Sequence, residues 1–310
     1  MNTESNSQPA SGRGRVVLWL LGLGVPLLLL VAWWPVPPKP SPALPNPNGY
    51  DYFVKAGEAL VGPWTNQVLR AVPAQEWQTV LAANQSSLEL VREGLRHRSL
   101  ALVSVTYDSA TRLRFIDQLG HLKRLGVLLA GEGLLAELEG NSASAVDAYI
   151  QAMRFGQESS RGGVMMERLV GIAVESIALA ELRRTMLSLA SEDVRRGLVG
   201  LQNLDASHDL PEVNLATEDE WIRQTTDLGQ RFTLWTQPTM RKEVRETRTK
   251  FAGRVDRHQA DRRSAIVEAA ARSFELEKGR RPTGYADLVP TYLPAAPLDP
   301  TTGKEIAHPF

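Results

Sequence analysis

The chain has 310 residues, with 35 basic and 35 acidic side chains and a formal net charge of zero. This balance provides no overall field that would attract nucleic acid, so the composition predicts no nucleic-acid partner. The chain has no cysteine, which excludes disulfides, thiolate catalysis, cysteine-ligated zinc and iron–sulfur clusters.

The N-terminal part of the chain predicts a single-pass membrane protein. Residues 1–15 are polar and have too few apolar side chains to fold, as expected of a short tail. Residues 16–34 form an uncharged apolar run of about 19 residues, long enough to cross a bilayer once as a helix. Arg13 and Arg15 precede this run, and basic residues stay on the cytoplasmic side. We therefore expect the tail in the cytoplasm and the body outside it, anchored in a bacterial cytoplasmic membrane.

The end of the apolar run favours an uncleaved signal anchor over a secretory signal that is removed. Cleavage sites contain small residues, whereas Trp33, Trp34 and Pro35 stand here. The sequence alone leaves both possibilities open. Residues 35–48 then alternate proline with small residues, which predicts an extended polyproline spacer between the membrane and the body.

The body, residues 49–278, has apolar side chains at three- and four-residue spacing, which predicts an all-α fold arranged as an irregular helical array. Glycine and proline divide it into helices mostly of ordinary length. Helix starts are predicted at Ser144, at Ser191 and, from a capping box with Glu220, at Thr217. The expected breaks lie at residues 62–63, 72–73, 140–141, 162–163, 207–211 and 237–238.

One stretch of the body, residues 122–157, resembles a tetratricopeptide helical hairpin. Small residues, a turn and an aromatic stand near their places in that repeat, namely Ala136, Gly140, Ala145, Ala148, Tyr149 and Ala152. Small residues let two antiparallel helices approach closely, with Tyr149 filling the space between them. A solenoid needs about three stacked units and only one is visible, so a generic helical hairpin is the preferred interpretation.

Glu167 and Glu175 are the candidate catalytic residues. Glu175 stands in an apolar stretch, where an unpaired carboxylate is costly and acquires the raised pKa of a general acid or base. Glu167 lies two turns earlier on the expected helix, so the two side chains could share a face. One hypothesis is therefore an envelope hydrolase with both carboxylates in a cleft between helices. An ion pair between Glu175 and an arginine is the preferred alternative.

Residues 241–263 are the most basic part of the body, with nine lysines or arginines and four acidic residues. One helix face here could meet an anionic lipid or an acidic protein. The interleaving of Glu243 with Arg241 and Arg245 favours instead a solvent-exposed helix with intrahelical charge pairs. The five histidines lack metal-ligand spacing, so no histidine metal site is predicted. They are His97, His121, His208, His258 and His308.

The last part of the chain has the sharpest local pattern: a helix ending in glycine, a proline, a short leucine-rich helix and a P-x-D-P turn. Its members are Gly279, Pro282, Leu288, Tyr292, Leu293, Pro297, Asp299, Pro300 and Gly303. Residues 269–308 resemble the C-terminal motif of type II secretion major pseudopilins, and also the ending of a group of membrane-anchored helical bacterial proteins. The first resemblance implies a component of a secretion or pilus-like apparatus.

The same resemblance implies a calcium site in the C-terminal loop, with Asp299 and a threonine hydroxyl as oxygen ligands. A plain structural turn is the preferred alternative, because Asp299 can accept hydrogen bonds from its own backbone. Gly279 is expected to end the preceding helix in the left-handed conformation. We predict that residues 279–310 form a non-helical clasp whose apolar side chains cover that helix. These side chains are Leu288, Tyr292 and Leu293, packed against Ile266, Ala270 and Phe274.

Together these features favour a membrane-anchored, extracytoplasmic helical scaffold or protein-interaction module that has a protein partner and neither catalytic residues nor a cofactor. An envelope hydrolase and a secretion component are the alternatives.

Overall fold

Ten helices make up the described part of this computed structural model, which covers residues 43–62, 69–101, 109–226 and 236–307. They are α1 (Gly49–Glu58), α2 (Ala74–Ala83), α3 (Gln85–Gly94), α4 (Ser109–Leu138), α5 (Ser142–Glu158), α6 (Met165–Met186), α7 (Ser191–Ala206), α8 (Pro211–Thr225), α9 (Pro238–Lys278) and α10 (Tyr285–Leu288), with a 3-10 turn at Leu69–Ala71. The body is all-α, as the apolar periodicity predicts.

Two predicted helix starts are wrong. The helix expected to start at Ser144 starts at Ser142, because Asn141 caps it by accepting a hydrogen bond from the Ser144 N–H group. Thr217 lies inside α8, which starts at Pro211. Proline suits a first helical position because its fixed φ is helical and its missing N–H needs no partner.

A turn at Gly140 joins α4 and α5 into a close hairpin. Gly140 has a φ of 78°, which glycine adopts without strain. Tyr149 is fully buried between the two helices, and a Cβ atom placed on Gly133 would lie only 2.6 Å from the Tyr149 ring. The aromatic therefore fills space that a glycine on the partner helix leaves free. The likeness of this hairpin to a tetratricopeptide unit stays a prediction.

The helices α5 and α6 touch backbone to backbone where two glycines face each other. A Cβ atom on Gly156 would lie 2.7 Å from the carbonyl oxygen of Gly171, and one on Gly171 would lie 2.4 Å from that of Gly156. Both distances are too short for any side chain. This close approach places Glu175, one turn beyond Gly171, against α5 in the interior.

The helices α4 and α9, with 30 and 41 residues, are longer than the ordinary length expected. The first third of α9 is largely exposed, whereas Phe251, Val255 and the later apolar residues are buried. The interpretation of residues 241–263 as a solvent-exposed helix is therefore wrong at its end. Arg262 is only 1% exposed, because α9 enters the core there.

The clasp packs on the end of α9 and contains the short helix α10, so the prediction that it is non-helical is wrong at residues 285–288. Gly279 follows the helix with a φ of 68°, and Pro282, Leu288 and Leu293 are buried. Leu288 and Leu293 belong to the same apolar cluster as Ile266, Ala270 and Phe274.

Tyr292 fixes the clasp by two different contacts. Its ring meets that of Phe274 edge to face, with centroids 5.9 Å apart, and its hydroxyl donates to Glu277 over 2.7 Å.

The expected membrane segment cannot be compared with the fold. Residues 1–42, which contain the tail, the anchor and most of the spacer, lie outside the described residues, as does His308. Within the described ranges, no helix combines the length and the apolarity that crossing a bilayer requires. Membrane insertion stays a prediction.

The packing of the clasp predicts that Tyr292→Ala destabilises the body by about 3–5 kcal/mol, the usual cost of removing a buried aromatic side chain. Leu298→Ala is the control in the same segment, because Leu298 is 49% exposed and its loss should cost within about 0.5 kcal/mol. The free energy of unfolding from denaturant titration measures both. Equal stability of the Tyr292 variant and the parent would contradict the clasp.

Candidate functional site

Glu175 lies at the centre of a buried charge cluster. It projects from α6 and is fully buried. Its Oε1 accepts from Arg168 at 2.6 Å, and its Oε2 contacts Arg262 at 3.0 Å and the Nε2 atom of His258 at 2.9 Å. Burial alone would raise the pKa of this carboxyl, but the charges of Arg168, His258 and Arg262 hold it well below its usual range. Glu175 is thus a permanent anion in an ion-pair network, the alternative that the sequence favours.

The cluster continues from α6 to α7 and the clasp. Asp205 on α7 accepts from Arg262 at 3.2 Å and from Arg263 at 3.0 Å. Arg263 also donates to the backbone carbonyl of Leu298 at 2.6 Å. One chain of charge-assisted contacts therefore joins the centre of the body to its C-terminal segment.

Glu167 occupies a separate position in the first turn of α6. It is 2% exposed, and its Oε2 accepts from the Val164 N–H group at 2.9 Å while its Oε1 accepts from the Tyr50 hydroxyl at 2.7 Å. Gln118 donates in turn to the Tyr50 hydroxyl at 2.8 Å, so the contact links α1, α4 and α6. Burial raises the pKa of Glu167 to about 7, against the lowering effect of its two hydrogen bonds and with a further rise from Glu218.

The fold does not bring the two candidate carboxylates together. Glu167 is bound by Tyr50 and the helix start, and Glu175 by arginines and a histidine, so the two side chains have no hydrogen-bond partner in common. A hydrolase that uses both in one cleft finds no support in this geometry. What Glu167 can do is exchange a proton near neutral pH.

Asp299 stabilises the turn in which it lies. Its Oδ1 accepts from the N–H groups of Thr301 at 2.7 Å and Thr302 at 3.2 Å, and its carbonyl accepts from Gly303. A β-bridge between Leu298 and Glu305 closes the loop. The part of the chain that the structure describes contains no group of three or more acidic or histidine side chains able to hold a metal ion. Calcium at Asp299 stays a prediction.

The sequence interpretation missed a cleft of about 650 Å³ between α3, α4 and α5. Its charged residues are Arg92, Arg96, Glu132, Asp147 and Arg154, and its apolar residues are Leu95, Ala136, Ala148 and Ile150. Arg92 pairs with Glu132 across the cleft. The sequence signal was the dense group of basic residues at 92–98. Arg154 joins this group only through the fold, where it donates a hydrogen bond to the Leu95 carbonyl just after α3.

Comparison with known proteins adds no assignment. No family model, no curated protein and no solved structure matches the chain. The likeness of its C-terminal segment to pseudopilins stays a prediction from the sequence.

The buried cluster predicts that Glu175→Gln costs stability, because the substitution leaves buried Arg168 without its anion and buried Arg262 with Asp205 alone. Breaking a buried ion pair from one side costs about 3–5 kcal/mol. The free energy of unfolding should fall by this amount, while Glu89→Gln, an exposed position on α3, should change it by at most about 0.5 kcal/mol. A stable Glu175→Gln protein that had lost a hydrolytic activity would instead support the envelope hydrolase.

The environment of Glu167 predicts a pH dependence of stability. Its pKa is about 7 in the fold against an ordinary value of 4.5, so the folded state binds more protons than the unfolded state between these pH values. The stabilisation from Glu167 is therefore complete below pH 4.5 and is lost as the pH rises through 7, a change of about 3 kcal/mol.

Denaturant unfolding across this range, with Glu167→Gln beside the parent, measures the effect. The variant should have a flatter dependence of stability on pH, because it has no proton to exchange at this position. Glu89→Gln is again the control and should retain the slope of the parent. Equal slopes in the parent and Glu167→Gln would show that Glu167 does not titrate in this window.

Proposed function

We propose that the chain is a membrane-anchored, extracytoplasmic helical scaffold that binds another protein in the cleft between α3, α4 and α5. The cleft is the observation that supports this proposal. It combines an apolar floor of Leu95, Ala136 and Ile150 with a charged rim, the arrangement that protein-binding and ligand-binding surfaces share. Two of its walls belong to the α4–α5 hairpin, whose resemblance to a tetratricopeptide unit supports a role in protein interaction.

The location outside the cytoplasm rests on the sequence. An apolar run at 16–34 with Arg13 and Arg15 before it is the pattern of a signal anchor with its N-terminus inside. The resemblance of residues 269–308 to pseudopilins suggests a secretion or pilus-like apparatus as the setting for such a scaffold. No cofactor is part of the proposal.

An envelope hydrolase is the second candidate, and the raised pKa of Glu167 is the observation that favours it. A carboxyl that titrates near pH 7 suits general acid–base catalysis. Glu167 is 2% exposed, however, and both of its oxygens accept hydrogen bonds from the protein itself. Neither Glu167 nor Glu175 lines the cleft. The scaffold proposal uses the cleft, whereas the hydrolase proposal leaves it without a role.

The absence of cysteine permits a sharp experiment, because one introduced cysteine is the only thiol. Gln151→Cys places the thiol in the cleft, and a membrane-impermeant benzophenone maleimide added to spheroplasts of the native bacterium labels it only from outside. We expect labelling and, after illumination, a covalent adduct to one protein. Leu187→Cys is the control, since Leu187 is 75% exposed and does not line the cleft. It should be labelled without forming that adduct.

Two results would contradict the proposal. Labelling of neither cysteine in intact spheroplasts would place the body in the cytoplasm. Labelling without an adduct at position 151, or with the same adduct at both positions, would remove the cleft as an interaction site.

A further inference from the structure

A second cleft, of about 320 Å³, adjoins the first. Arg96 and Arg154 line both, so the two form one continuous groove. The remaining residues that line the second cleft are His97, Arg98, Ser99, Glu158 and Arg161. Four arginines and one glutamate thus surround a small cavity at the end of a longer groove with an apolar floor.

The positive charge of the second cleft is only partly neutralised. Arg161 is balanced by Glu158 at 2.8 Å and Asp209 at 3.0 Å. Arg154 donates to the Leu95 carbonyl, and neither Arg154 nor Arg98 forms a salt bridge with any carboxylate of the described residues. Two guanidinium groups therefore remain available to an anion.

Ser99 supplies an independent observation. It is 3% exposed, it lines the second cleft, and its hydroxyl has no hydrogen-bond partner among the described residues. A buried hydroxyl without a partner costs stability, because it has given up its hydrogen bonds to water. An acceptor atom that reached this hydroxyl from the cleft would remove the cost. Arg98 beside it is exposed, and Arg96 is exposed and pairs with Glu93 at 2.8 Å.

We propose that the groove binds an acidic segment of the protein partner, with one carboxylate of that segment held in the second cleft by Arg98, Arg154 and the Ser99 hydroxyl. The proposal rests on the proposed function and names the chemistry of its partner. A peptide fits better than a free phosphate, because the first cleft continues the site over about 650 Å³ and offers an apolar floor that an inorganic ion cannot use.

The probe is a fluorescein-labelled hexaglutamate peptide, titrated into the full chain in detergent micelles at low salt. We expect binding that weakens as salt rises, because exposed arginines are screened. Arg98→Gln should weaken it about tenfold, the loss expected for one hydrogen bond between charged groups. Arg254→Gln, the same charge change at an exposed position on α9, should leave affinity within about twofold.

Ser99→Ala separates a ligand contact from a structural role. Removal of a buried hydroxyl without a partner should leave the melting temperature unchanged or raise it. The peptide affinity should nevertheless fall about tenfold if the hydroxyl donates to a bound carboxylate. Unchanged affinity in both Ser99→Ala and Arg98→Gln would overturn the proposed site, as would inorganic phosphate that binds as tightly as the peptide.

The photocrosslinking result distinguishes failure of this inference from failure of the proposed function. An adduct at position 151 without hexaglutamate binding would retain the scaffold and reject the acidic partner. The absence of both would reject the two together.

Discussion

The complete burial of Glu175 constrains how the helices of the body can pack. A carboxylate without solvent loses several kcal/mol of hydration, and the structure retains it only because two arginines and a histidine come from different parts of the chain to meet it. Arg168 lies on the same helix, but His258 and Arg262 lie on α9. The position of α9 against α6 is therefore set by charge as well as by apolar contact, since a shift of either helix would leave a buried ion unpaired.

The small residues next to this cluster make it possible. Gly156 and Gly171 let α5 and α6 touch, and a Cβ atom on Gly156 would lie 3.0 Å from the Cγ atom of Glu175. The same cluster reaches the clasp through Asp205, Arg263 and the Leu298 carbonyl. Apolar packing by Tyr292 and polar contact by Arg263 thus hold the C-terminal segment at two points along α9. The turn-forming residues of that segment determine its backbone conformation, and the contacts of Tyr292 and Arg263 determine where it packs on the body.

The sequence predicts the features that depend on local chemistry. Gly279 ends α9, Pro238 begins it, and the Asp299 turn forms as its residue types require. The sequence is a poor guide to features that depend on which face of one helix packs against another helix. Arg262 lies in a basic stretch typical of solvent-exposed helices, yet α9 enters the core at that position. Thr217 has the spacing of a capping box, but the helix starts six residues earlier, at Pro211, which follows a predicted break.

The candidate sites also differ in whether local sequence or helix packing determines them. Glu175 could be recognised as a buried ion-pair member because its neighbours in sequence are apolar. The basic groove could not, since its arginines come from α3, the segment after it, and α5, and each taken alone has the pattern of an ordinary surface residue. Overall neutrality excludes a global attraction to a charged polymer, but it places no limit on a local excess of charge. Arg92, Arg96 and Arg161 pair with carboxylates of the chain. Arg98 and Arg154 have no carboxylate partner among the described residues, and these two side chains are the local excess of positive charge on which the proposal of an acidic partner depends.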